Sequence, residues 1–82
     1  MYCTQIMLKG FVEAEAFTKA IKDLDMDMDL SIGRYTVDAR SILGIMSLDL
    51  NKTITLKCIT DSADDIERIK ERISRFEVSG GS

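Results

Sequence analysis

Histidine is missing altogether from this 82-residue chain. Without an imidazole there is no histidine base, and no Cys–His or Ser–His pair to activate a nucleophile. Glycine-rich phosphate loops and the other common catalytic motifs are absent too. Glu13 and Glu15 stand two positions apart, so they do not share a helix face and make a poor acid–base pair. The chain is therefore not expected to be an enzyme. Only two cysteines occur, Cys3 and Cys58. That is too few for a disulfide framework, and two thiols without histidine make a poor metal site. Free thiols are expected, with no metal or other cofactor. No apolar run approaches the ~20 residues of a membrane span. Met1-Tyr2-Cys3 leads straight into strand-like sequence, so no leader and a cytoplasmic location are expected. A basic excess is lacking as well. The net charge is −3, whereas nucleic-acid phosphates need a basic face.

What remains is an ordinary globular composition, 45% hydrophobic and 30% charged. A chain of this length buries only roughly 60–65% of its unfolded surface, enough for one core. Residues 1–78 are expected to form a single domain. Ser79-Gly80-Gly81-Ser82 has linker composition and is expected to be a flexible tail outside it.

Periodicity divides the chain into seven elements. Thr4, Ile6 and Leu8 alternate with Cys3, Gln5 and Met7, which predicts a strand with one buried face. From residue 12 to 24 the period becomes helical. Val12, Ala16, Phe17, Ala20, Ile21 and Leu24 form the apolar stripe, with Glu13, Glu15, Lys19 and Lys22 facing away. Met26, Met28, Leu30 and Ile32 then alternate with aspartates and Ser31. The second half of this run predicts a strand, and Gly33-Arg34 turns it into Tyr35-Thr36-Val37 as an antiparallel hairpin. Ser41 caps a helix of about two turns over residues 42–48, with Ile45 and Leu48 inward. Ile54, Leu56 and Cys58 predict a fourth strand. Its parity puts Cys58 in the core, while Cys3 faces solvent. Ser62-Ala63-Asp64-Asp65 opens a last helix with a capping-box pattern. Its stripe is Ile66, Ile69, Ile73 and Phe76, and Glu71 can pair with Arg75. Helices with one apolar stripe and strands with one apolar face imply an α+β fold, βαββαβα, with helices on one side of an antiparallel sheet.

Two clusters invite chemistry. Asp23, Asp25, Asp27 and Asp29 resemble the opening of a calcium-binding EF-hand loop. The loop's glycine and its closing glutamate are absent, so a solvated acidic edge is expected instead. Ser41 lies at a helix N-terminus, beside unpaired backbone N–H groups and the positive end of the dipole. A serine there serves as a cap. A phosphoryl group attached to it is stabilised by the same N–H groups. Both readings stand. Ser47 reads as a helix-surface residue. A helix of two turns cannot bury Ile42, Leu43, Ile45, Met46 and Leu48 on a single stripe, so part of this set is expected to be exposed, either as a docking patch or as ordinary partial burial.

The segment Val37-Asp38-Ala39-Arg40-Ser41-Ile42-Leu43-Gly44-Ile45-Met46-Ser47-Leu48 resembles the regulatory-serine segment of HPr, the phosphocarrier of the bacterial sugar phosphotransferase system. The resemblance implies an open-faced β-sandwich with sheet order 1-4-2-3 and three helices on one face. It is strongest from residue 30 to 50. In that family the first strand and helix flank a phosphorylation loop reading G-I/L-H-A-R-P-A. The matching stretch is Gly10-Phe11-Val12-Glu13-Ala14-Glu15-Ala16, which puts Val12 at the histidine position, Ala14 at the arginine position and Glu15 at the proline position. Valine offers no nucleophile, alanine offers no guanidinium for a phosphate, and the two glutamates repel one. The resemblance further implies Ser41 as the regulatory phosphorylation site, and Ile42, Leu43 and Met46 as the partner-docking patch. The catabolite-repression type of HPr-like protein has the same logic, with the histidine replaced and the serine kept.

The expected function is thus a non-catalytic, HPr-like regulatory or adaptor protein related to the phosphotransferase system. The partners so implied are proteins: phosphotransferase enzymes, an HPr kinase or a transcriptional repressor, with neither nucleic acid nor membrane, and the chain a monomer or weak dimer. Two alternatives stand beside it. One is a vestigial or decoy HPr that docks on phosphotransferase enzymes. The other is a ferredoxin-like small-molecule-binding regulatory module, which a sheet order other than 1-4-2-3 would favour.

Overall fold

Side-chain alternation produces four strands in the computed structural model, which describes residues 1–78. They are β1 (Tyr2–Ile6), β2 (Met28–Ile32), β3 (Tyr35–Asp38) and β4 (Ile54–Cys58). The linker-like segment 79–82 lies outside the described residues. All pairings are antiparallel and the sheet order is β1-β4-β2-β3. This is the order implied by the HPr resemblance, and it excludes the ferredoxin-like alternative. Gly33 makes the β2–β3 turn with a φ of 59°, a left-handed value that a side chain would oppose.

Register separates the two sheet faces. Cys3, Lys57, Asp29 and Asp38 form one cross-strand row, and Gln5, Thr55, Ser31 and Thr36 the next. Neither row contains a large apolar side chain, so this face remains open. The opposite face carries Ile6, Met28, Leu30, Ile54, Leu56 and Cys58, all buried. They join Ala14 and Phe17 of α1 (Gly10–Ala20), Ile21 just after it, Ile45 of α2 (Ile42–Met46), and Ile69 and Ile73 of α3 (Ala63–Ile73) in one core. All three helices therefore cover one face. Phe17 meets Phe76 edge to face, with ring centroids 5.6 Å apart, a geometry that adds about 0.5–1.5 kcal/mol beyond area burial. Cys3 is exposed and Cys58 buried, both unbridged, as strand parity requires.

The first helix differs from the sequence reading. It begins at Gly10 rather than residue 12 and ends at Ala20, with a turn through Asp23. Val12, placed on the buried stripe, is 77% exposed, and Ala14 takes the inward position. Periodicity fixes the spacing of a stripe but not its phase when both faces offer an apolar residue. Here the smaller alanine fits against the sheet.

The last helix is capped by Ser62, whose Oγ accepts from the Asp65 N–H at 3.4 Å. The Asp65 carboxylate does not return to Ser62. It accepts from the Thr60 hydroxyl, which itself accepts from the Ser62 N–H. Phe76 is buried from a 3₁₀ turn, Ser74–Phe76, beyond the helix rather than from the helix itself. The Arg75 guanidinium lies 4.9 Å from the Phe76 ring centroid, not against Glu71. Arg72 instead reaches across to Asp23 with both guanidinium nitrogens and to the Ala20 carbonyl. The chain then returns along the outer edge of β1. Met7 N–H donates to Phe76 O, Val78 N–H to Gln5 O, and Thr4 Oγ1 to Glu77 Oε2. That return covers an otherwise open sheet edge.

Candidate functional site

Local turns and cross-strand hydrogen bonds together build the Ser41 region. The Asp38 carboxylate accepts from the Arg40 N–H at 2.9 Å and turns the chain out of β3. Ala39 is buried, with its N–H bonded to Met28 O. Ser41 then takes an extended conformation, φ −94° and ψ 106°, and its Oγ accepts from the Gly44 N–H at 3.1 Å. This is the N-cap read from the sequence. At the other end the Ser47 hydroxyl donates to the Gly44 carbonyl, so it must accept from the Tyr35 hydroxyl 3.0 Å away. That bond ties α2 to β3.

The helix is shorter than the two turns expected, since α2 spans only Ile42–Met46. Ile45 and Leu48 point inward and are buried, as read from the sequence. Leu43 is 82% and Met46 40% exposed. Ile42, assigned to the same patch, is half-buried and packs against the core. A one-turn helix lying on the sheet presents only its outer side, and Ile42 sits on the flank.

Two residues of this site carried no signal in the sequence reading. Gly44 lies where a Cβ would come 3.1 Å from Val37 Cβ and 3.2 Å from Ser41 Oγ. The glycine lets α2 sit close on β3 and leaves room around the serine oxygen. Arg40 sends its guanidinium to the carbonyl of Leu24, just after the turn that follows α1. The contacts that decide both, Gly44 against Val37 and Arg40 against Leu24, join residues apart in the chain.

The second site residues lie at the start of α1. The whole of 10–16, matched to a phosphorylation loop, is helical. The actual connection between β1 and α1 is Met7-Leu8-Lys9. Phe11 is 53% exposed and Val12 more so, Ala14 is buried, and Glu13 Oε1 accepts from the Lys9 N–H at 3.0 Å. Glu15 faces Lys19 at 3.9 Å. The helix start thus carries a carboxylate folded back on its own backbone and an apolar pair in solvent.

The acidic run does not converge on a cation. Among the described residues no three His, Cys, Asp or Glu side chains are grouped to hold a metal. Asp23 is turned to Arg72, whose hydrogen bond holds its carboxyl below the usual carboxylate range. No helix of the described residues is long and apolar enough to cross a membrane.

The family model of the phosphotransferase HPr component, described by its phosphorylation site, matches residues 13–76. The chain belongs to the HPr family. Among solved structures, the crystal structure of HPr-C-His from Thermoanaerobacter tengcongensis is similar, with a TM-score of 0.74 and 24% identity over 93% of this chain and 91% of that one. At that identity the likeness speaks for the fold. No curated protein matches significantly. In this HPr-family member the match begins one residue after Val12. Neither Val12 nor the strand-to-helix connection Met7-Leu8-Lys9 offers a histidine, since the chain contains none.

Proposed function

We propose that this HPr-family protein is a regulatory adaptor of the phosphotransferase system that carries no phosphohistidine and binds protein partners through the 41–48 segment. The carrying observation is the juxtaposition on α2 of a capping serine with an exposed apolar residue. Ser41 Oγ accepts from Gly44 N–H at the helix start, and Leu43 stands 82% exposed one turn edge away. Leu43 and Met46 form the docking surface, with Ile42 at its inner border. A phosphoryl group on Ser41 adds about −1.5 to −2 charge beside that surface and meets the unpaired N–H groups of the helix start. Partner choice then depends on modification. Val12 and Ala14 take no part in phosphoryl transfer, and the reading assigns the chain no enzymatic step, no metal and no cofactor.

Incubation with ATP and an HPr kinase, followed by mass spectrometry, tests the switch. Phosphate on the Ser41 peptide is expected, and an unmodified peptide refutes this part. Incubation with phosphoenolpyruvate and the upstream phosphotransferase enzyme is expected to leave the protein unmodified; acid-labile phosphate would overturn the account. A decoy role, docking on that enzyme without accepting phosphate, uses the same exposed Leu43 and Met46. NMR titration with the enzyme, read at residues 42–46, decides it.

A further inference from the structure

Three cations gather at the C-terminal end of α1. Thr18, Lys19, Lys22 and Arg40 line a surface depression of about 200 Å³. The chain has 14 acidic and 11 basic residues, yet no carboxylate lines this depression. Thr18 and Lys19 come from the last turn of α1 and Lys22 from the turn that follows it. Arg40 comes from the β3–α2 connection. Its half-buried guanidinium is anchored by the Leu24 carbonyl, so it is held in place rather than free in solvent.

The end of a helix normally supplies a reason for nearby cations, because its last carbonyls are negative. Here most of those carbonyls are already engaged, Thr18 O excepted. Phe17 O accepts from Ile21 N–H, Lys19 O from Lys22 N–H, Ile21 O from Leu24 N–H, Ala20 O from Arg72, and Leu24 O from Arg40. Among the described residues Lys22 and Arg40 belong to no ion pair, and Lys19 has only the exposed 3.9 Å contact with Glu15. The Thr18 hydroxyl donates to Glu15 O, so it adds a lone pair and no further donor. The cations thus meet with no carboxylate among them in this depression, while Arg40 also borders a neighbouring depression lined by Asp27, Asp29 and Asp38.

We propose that Lys19, Lys22 and Arg40 form a binding site for a small phosphate monoester. A phosphate dianion presents three terminal oxygens to donors arriving from different directions, while the arginine offers a fixed planar fork. A single carboxylate lacks the charge and the third oxygen. The depression, about 200 Å³, has room for a phosphate bearing a chain of a few carbons. The depression lies at the C-terminal end of α1, while Val12, the position matched to the family's histidine, lies at its start.

The test is a ¹H–¹⁵N NMR titration of the full chain at constant ionic strength, with inorganic phosphate in one arm and glycerol 3-phosphate in the other. Saturable shifts centred on Thr18, Lys19, Lys22 and Arg40 are expected with the ester. Saturation by inorganic phosphate as well assigns recognition to the phosphate group, and saturation by the ester alone adds the organic part. Lys22→Gln, an exposed change, is expected to weaken binding about tenfold, the loss of one charged hydrogen bond. Arg40→Lys, which keeps the charge but not the fork, is expected to weaken it too. Non-saturating shifts equal to those given by sodium chloride, or shifts spread over all lysines, overturn the proposal. So does saturation by a glutamate-rich peptide without saturation by either phosphate, which would make the depression part of a protein interface.

Discussion

Replacing Gly44 by alanine tests how Ser41 is held. On helix propensity alone the change is favourable by up to ~1 kcal/mol. The tertiary structure opposes it. The new Cβ would stand 3.1 Å from Val37 Cβ and 3.2 Å from Ser41 Oγ. Val37 Cβ is fixed to the β3 backbone and cannot step aside, so α2 must lift or Ser41 must rotate. Overpacking of this kind costs ~1–3 kcal/mol. Rotation of Ser41 away from the Gly44 N–H forfeits a cap, typically ~1 kcal/mol. The expected net result is destabilisation by about 1–2 kcal/mol, or roughly 5–10 °C in Tm for a domain of this size. Thermal and urea unfolding followed by circular dichroism measure it. Ser41→Ala alone should cost ~1 kcal/mol through the lost cap. The double variant should cost less than the two singles together, because the cap is lost only once and the Oγ crowding disappears. Additive losses, or a Gly44→Ala protein more stable than the parent, would refute the account of this site.

Other expectations follow from single contacts. Leu43→Glu, at an exposed position, should change stability by no more than ~0.5 kcal/mol while abolishing partner binding in a pull-down or titration. At pH 8 an alkylating reagent should modify Cys3 and leave Cys58 untouched until the chain is unfolded, since burial shields Cys58 and pushes its thiol up to about 11; mass spectrometry of the native protein reads this directly. Asp23 is held below the ordinary value of 3.8 by Arg72, so its contribution to stability is present above that value and fades as pH falls through the folded one. Asp23→Asn should therefore lower Tm at neutral pH and converge with the parent in strong acid. A gap that widens on acidification would count against the pairing.

The strands were legible because a two-residue period leaves one assignment of faces. Once Ile6, Leu30, Leu56 and Cys58 are buried, Cys3 and Lys57 must be outside. The last helix was legible from its cap and its Ile69–Ile73 spacing. The first helix was legible in type but not in phase, since Val12 and Ala14 both satisfy an apolar stripe. The candidate site was readable at Ser41, where the cap is a local hydrogen bond. The docking patch was readable only in part, because whether Ile42 leans on the core depends on how closely α2 approaches the sheet.

The sequence by itself determined the element types, the open polar sheet face, the missing histidine and the capping serine. Each depends on residue identity or on neighbours within four positions. Tertiary structure alone decided that Gly44 must lack a side chain, that Arg40 reaches Leu24, that Arg72 closes onto Asp23, and that the chain returns along β1 at Glu77. These contacts join residues distant in the chain or surfaces meeting at one distance, and no local pattern encodes the distance.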